Sequence, residues 1–365
     1  MSITMQIDID KIRKTFFKKS LSVGHHNIKY SWMQLMTMIL SCVRSMETFE
    51  EGAKSPSAQT IRDRLLLNGA WLEYFHEAMW KIAQLMVRQR SRYKWYVSID
   101  EQFLPFFGDR KALNKKLQKQ GFGKMLHGYT AKIRGATGSF CFLTISLCAY
   151  GIRIPVAVRI MKVGEHYKPW LKPLLIKLLK LKKDAIVLAD RGFGKAAWFY
   201  QMLGEIGAKY VVRIPLRKKE NKNKVKNGCK RYMYWMNEDK TNEKVLLTVF
   251  IAKDKDSKKY YLASNIEDKT GRELLAIYLN RWDLENLFKD TDRIKLPTSS
   301  PNPQMRLFSV AVSFLVFTLW QLERLINHQR TTLRTYVKQI INALCEFLNC
   351  TISLLGRLNA VGPPP

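Results

Sequence analysis

Between Asp184 and Asp190 stands the run Ala185-Ile186-Val187-Leu188-Ala189, without one polar side chain. It is too short for a helix of its own and offers no polar face to water, so it reads as a strand buried on both sides. A strand of that kind needs a sheet whose faces are covered by helices. The surrounding pattern agrees. KWYVSID, residues 94–100, has the β-branched and aromatic content of a strand and is read as ending at Asp100. Residues 139–163 read as two apolar strands around a turn near Gly151. Pro169–Leu181 and Ala196–Ile206 are apolar at helical spacing, and residues 208–215 return to a strand. The expected fold class is therefore α/β, a mixed sheet flanked by helices.

Residues 216–264 interrupt this alternation. Arg217–Arg231 holds eight basic residues and one acid, and VLLTVFIA and KKYYLASN follow as two antiparallel strands, so the segment reads as a β-rich basic insertion. A helical pattern resumes at Thr270 and is read as one helix running past Phe288, until KLPTSSPNP ends it. Helices Met305–Asn327 and Leu333–Asn349 close the chain. Residues 1–92 read as helical. Within them Ser55-Pro56 looks like a helix start, and Arg62 and Arg64 face away from Ile61 and Leu65. Those two arginines suit either a DNA-reading helix or the solvated face of an ordinary bundle. The expected division is 1–92 helical, 93–215 core, 216–264 insertion, 265–325 core again, and 326–365 C-terminal helix and tail.

Charge narrows the partners. The chain of 365 residues carries 62 Lys+Arg against 30 Asp+Glu, a formal +32. With 47% hydrophobic residues it cannot be a disordered basic tail. So much like charge on a compact body calls for a polyanion, nucleic acid before a membrane surface. The most apolar stretch, Phe308–Trp320, has 13 residues where a bilayer span needs about 20, and reads as a buried helix. The N-terminus lacks the apolar core of a signal peptide. The six cysteines are scattered with no C-x-x-C pair, which favours reduced thiols in a cytoplasmic protein.

Chemistry-bearing residues stand at element ends. Asp100 and Asp190 each follow an apolar strand, where a side chain emerges from a rigid frame into a cleft. Taken singly, such an Asp is commonly a turn or cap residue. On the helix read through IYLNRWDLENLFKDTDRIK, Tyr278, Arg281, Glu285 and Lys289 fall within one arc of about 80°. The bland reading of that arc is an i, i+4 ion pair. Trp235 and Trp282 are read as core side chains, base stacking being the alternative.

Together these strings resemble the DDE transposases of bacterial and archaeal insertion sequences, in the cut-and-paste group whose last motif is Y-x2-R-x3-E-x6-K. Tyr278, Arg281 and Glu285 stand at those spacings, LADRGFG supplies Asp190 and Arg191, and SIDE supplies Asp100. The resemblance covers about residues 94–325. One position departs: Asp292 stands where the signature has Lys, and Lys289, Arg293 and Lys295 are the neighbours able to replace it. The resemblance implies an RNase H-like core with Asp100, Asp190 and Glu285 as catalytic residues and ligands of two Mg²⁺ ions, Mn²⁺ being able to substitute. It implies DNA contacts by Tyr278, Arg281, Lys289 and Arg191; Arg62 and Arg64 lie outside it and join them on the DNA-reading alternative for the helical segment. It further implies a protein that binds terminal inverted repeats, works as a homodimer on paired ends in the nucleoid, and cuts and joins strands. The alternative is a derived DNA-binding protein without catalysis. Hard divalent ions suit such chemistry because they take oxygen ligands and stabilise both attacking and leaving oxygens of an in-line displacement.

Overall fold

The structure, a computed structural model, describes residues 71–128, 134–215, 231–237, 244–295, 300–327 and 332–339. Arg62, Arg64, the basic run up to residue 230 and most of the helical N-terminal segment lie outside the described residues. The chain divides into two compact units, residues 82–288 and residues 1–81 with 289–365.

The first unit is built on one nine-stranded sheet. In chain order the strands are β1 (Tyr96–Phe106), β2 (Leu126–His127), β3 (Gly138–Ala149), β4 (Ile152–Met161), β5 (Ile186–Ala189), β6 (Lys209–Arg213), β7 (Arg231–Asn237), β8 (Lys244–Lys253) and β9 (Lys259–Ser264). The spatial order is β2-β3-β1-β5-β6-β9-β8-β7, with β4 paired to β3. Strands β1, β5 and β6 are parallel, β3 pairs antiparallel with β1, and β4 pairs antiparallel with β3. That five-strand arrangement, β4-β3-β1-β5-β6, is the RNase H-like core. The helices α3 (Lys168–Leu181) and α4 (Ala197–Glu205) make the crossovers into and out of β5, as parallel neighbours require. All four residues of β5 are buried, which is why its sequence has no polar side chain.

Strands β7, β8 and β9 extend the same sheet antiparallel from β6, so the insertion is continuous with the core sheet. The β3–β4 turn has two residues, Tyr150 and Gly151, with φ of 47° and 79°. Two positive φ values in a two-residue loop match the twist of the hairpin, and a glycine lowers the cost of one of them.

The remaining helices of the described residues are α1 (Trp71–Gln89), α2 (Arg110–Lys119), α5 (Gly271–Leu279), α6 (Trp282–Asp292) and α7 (Pro303–Asn327), with a helical stretch over 333–339. In the second unit α7 is long and apolar enough to cross a membrane, but 83% of that apolar window is buried within the protein. Its Phe308 meets Trp71 edge to face, ring centroids 5.2 Å apart. It is a core helix, as its sequence suggested. Cys141 and Cys148 are free and buried.

Three sequence expectations need correction. Strand β1 does not end at Asp100; it continues to Phe106, because β3 pairs with it over all eleven residues. The single helix expected from Thr270 past Phe288 is two helices. They part at Asn280, whose side-chain amide donates to the carbonyls of Ala276 and Ile277 at 2.9 and 3.0 Å. Those bonds satisfy α5's last carbonyls from outside the helical ladder and let the chain turn. Trp235 and Trp282, read as core, are 58% and 50% exposed. The elements α2 and β2 had no sequence reading; α2 opens on Asp109, whose carboxylate accepts from Ala112 N–H at 3.0 Å.

Candidate active site

The site begins where β5 leaves β1. The two strands pair in parallel from Tyr96↔Ile186 to Ile99↔Ala189 and no further. Asp100 is the next residue of β1, and Asp190 is the next residue after β5. They therefore stand at one level on neighbouring backbones about 4.8 Å apart. Past that level β1 keeps its β3 partner, with Thr144 opposite Asp100, while the edge that faced β5 is left without a strand partner among the described residues.

Backbone amides orient both carboxylates. Glu101 N–H donates to Asp100 Oδ1 at 2.9 Å, and Gly192 N–H donates to Asp190 Oδ1 at 2.7 Å. The glycines of LADRGFG have separate tasks. A Cβ on Gly192 would lie 2.9 Å from Asp190 Oδ1, in the way of that bond. A Cβ on Gly194 would lie 1.9 Å from the backbone oxygen of Arg213, so only glycine lets the turn press against the end of β6. Arg191 projects from this turn and is exposed.

The third acid arrives by helix. A capping box fixes the start of α5: Thr270 Oγ1 accepts from Glu273 N–H, and Glu273 accepts from Thr270 N–H. Leu274, Leu275, Ile277 and Tyr278 then bury against Leu188, Val211, Phe250 and Leu262. The turn at Asn280 delivers Arg281 inward, with its side chain 8% exposed. Arg281 Nη1 donates to Asp100 Oδ2 at 2.7 Å, Nη2 donates to the Glu285 carboxylate, and Nε donates to the Tyr278 hydroxyl at 3.2 Å. One planar fork thus ties Asp100 on the sheet to Glu285 on α6.

Electrostatics follow from this crowding. Burial first, then the nearby Asp190 and Glu285 carboxylates, push Asp100 from its usual 3.8 up to about 7, against the pull of Arg281 and the Glu101 amide. Burial opposes the charge on Arg281, but Tyr278, Asp100 and Glu285 hold it more firmly protonated than an ordinary arginine. Acids driven together this way favour a cation among them.

The structure thus brings Asp100, Asp190, Glu285, Tyr278 and Arg281 together. Lys289 is exposed on α6, one turn beyond Glu285. Asp292, at the signature's lysine position, pairs with Lys295 at 2.7 Å. Sequence reasoning passed over Glu101 and Tyr167. The Tyr167 hydroxyl donates to the Glu101 carboxylate, whose pKa burial raises. The acid following Asp100 in SIDE was a visible signal for Glu101; nothing local marked Tyr167.

Carboxylate oxygens on a rigid sheet and helix are the donor set a hard divalent ion takes. Among the described residues no three acidic, His or Cys side chains already close around one point. Between Asp100 and Glu285 lies the Arg281 guanidinium, itself a cation bridging two of the three acids. The donor chemistry therefore suits such an ion, with two of the three acids now occupied by that fork.

The model of the family described as "Transposase DDE domain" matches residues 96–297. No curated protein matches the chain. Among solved structures it is similar to a chain of a piggyBac transposase synaptic complex with hairpin DNA, determined by cryo-EM. The TM-score is 0.51 at 13% identity, covering 93% of this chain and 78% of that one. At that identity the likeness concerns the fold.

Proposed function

Because the chain belongs to the transposase DDE-domain family, we propose that it is the transposase of an insertion sequence, binding terminal inverted repeats and catalysing divalent-metal-dependent strand cleavage and strand transfer. The observation that carries this reading is the placement of Asp100 and Asp190 at one level, each next after the last pair of β1 and β5, with Glu285 tied back to Asp100 through Arg281.

In this reading Asp100, Asp190 and Glu285 hold Mg²⁺, with Mn²⁺ able to substitute. An ion bound there supplies Lewis acidity toward the scissile phosphate and activates a water or a DNA 3′-hydroxyl. The protein's own part is positioning. The Glu101 and Gly192 amides keep two carboxylates aimed before substrate arrives. Arg281 offers a planar pair of donors that suits a phosphate as well as a carboxylate, and the Tyr278 hydroxyl stands beside it. Arg191 and Lys289, both exposed, add backbone phosphate contacts, and Arg62 and Arg64 add DNA contacts from the N-terminal segment. The formal +32 supplies the bulk of the affinity through counterion release. Two copies acting on paired ends complete the proposed assembly.

The second reading, a transposase-derived DNA-binding protein without catalysis, is favoured by one residue, Asp292 in place of the signature lysine. Purified protein incubated with Mg²⁺ and its element's ends separates the two. The transposase reading expects free 3′-hydroxyls and joined products, and expects Glu285→Gln to abolish both while end binding persists. Cleavage unchanged in that variant rejects the site.

A further inference from the structure

We propose that Arg281 holds the carboxylate site shut against divalent cations until DNA draws its guanidinium onto a phosphate, so that metal loading and DNA binding are coupled through this one side chain. The inference rests on the transposase reading of the same site and adds its order of assembly.

The geometry is one of mutual exclusion. Asp100 Oδ2 and a Glu285 oxygen are both taken by the same guanidinium. A hard ion drawing on Asp100 and Glu285 competes for the same carboxylates, and a guanidinium between them already supplies the positive charge. Arg281 is 7% exposed and the Asp100 side chain 14%, so leaving the fork without a new partner strands one cation and one carboxylate in a poorly solvated place. A divalent ion arriving alone has to displace it against that penalty.

DNA changes the exchange. A phosphate diester offers the Arg281 fork two acceptor oxygens in nearly the geometry of a carboxylate. If Arg281 moves to the phosphate as the ion takes Asp100 and Glu285, every charge keeps a partner. The Tyr278 hydroxyl, which holds Nε at 3.2 Å, is a pivot about which the two Nη groups can swing without releasing the stem. Each ligand therefore stabilises the arrangement the other needs, and the coupling is reciprocal.

The test titrates full-length protein with Mn²⁺ alone, reading free Mn²⁺ by electron paramagnetic resonance. It is run with and without a mixed-sequence DNA duplex, each set corrected for Mn²⁺ on the duplex itself. Wild-type protein is expected to gain about tenfold or more in Mn²⁺ affinity when the duplex is added. Arg281→Gln is expected to bind Mn²⁺ about tenfold more tightly than wild type without DNA, and to gain less than about twofold from it. Lys195→Gln also removes a positive charge felt at Glu101, outside the fork, and should behave as wild type. A melting curve shows whether Arg281→Gln is folded; the wild-type comparison needs no variant. Equal Mn²⁺ affinity of wild type and Arg281→Gln without DNA overturns the gate but leaves the carboxylate site standing. So does a DNA-dependent gain that persists in Arg281→Gln. Absence of any Mn²⁺ uptake by wild type or variant, with or without DNA, overturns the site and the gate together.

Discussion

Gly192→Ala isolates the aim of one carboxylate from the stability of the fold. Gly192 has φ −60° and ψ −50°, a conformation alanine adopts freely. The added Cβ would meet Asp190 Oδ1 at 2.9 Å, while ordinary contact begins at 3.4 Å, so the carboxylate must retreat by about 0.5 Å. That retreat weakens the 2.7 Å bond from Gly192 N–H. Losing such a bond costs about 1 kcal/mol. The lower entropy of the unfolded alanine chain returns about half of that. The net change corresponds to a fall of no more than about 2–4 °C in melting temperature for a domain of this size. The chemistry should respond far more, because displacing a reacting group by about 1 Å costs about 10²-fold. Half that shift predicts a loss of about tenfold in Mg²⁺-dependent cleavage. The assay pairs a melting curve with strand cleavage at saturating Mg²⁺. Cleavage within about twofold of wild type in a well-folded Gly192→Ala protein would refute the reasoning. It would show that the orientation of Asp190 is not used.

Two further outcomes follow from the same geometry. Gly194→Ala should fail differently: its Cβ would sit 1.9 Å from the Arg213 carbonyl oxygen, backbone against backbone, so β6 or the turn must move. The cost is about 1–3 kcal/mol, and a wild-type melting temperature would contradict it. The pH dependence of the metal-free protein should carry the signature of Asp100. Its carboxyl rises from 3.8 to about 7 on folding, so the native state holds the extra proton between those values. Stability contributed there is present at low pH and is lost as pH rises through the window. In chelator, wild type should therefore lose melting temperature between pH 4 and 7 more steeply than Asp100→Asn, and equal slopes would discount the raised pKa.

The elements whose signature lies within a few consecutive residues are legible in the amino-acid sequence alone. Ile186–Ala189 has to be a buried strand because no side chain in it tolerates water. Tyr150-Gly151 reads as the turn of a hairpin because apolar runs flank it on both sides. The apolar helix α7 is likewise written in its own composition. For the site, the strand-then-acid pattern marks Asp190, and the spacing of Tyr278, Arg281 and Glu285 marks three residues that the structure brings together, though on two helices and not on one helical face.

What the tertiary structure decided are the properties that depend on what stands opposite. Strand β1 runs past Asp100 because β3 continues beside it, a length no local pattern in β1 contains. The place of the catalytic candidate is thus marked by β5 ending, not by β1 ending. The break at Asn280 depends on whether a side-chain amide or the helical ladder satisfies the last carbonyls of α5, which periodicity cannot distinguish. Trp235 and Trp282 look like core residues by type, yet the positions they occupy leave half or more of each side chain exposed. Arg281 shows the difference most directly. Its spacing from Glu285 foretold a neighbour one turn away, but its other carboxylate partner, Asp100, lies 181 residues distant in sequence. Hydrophobic periodicity is recorded along the chain, whereas the partner of a charge is chosen across space.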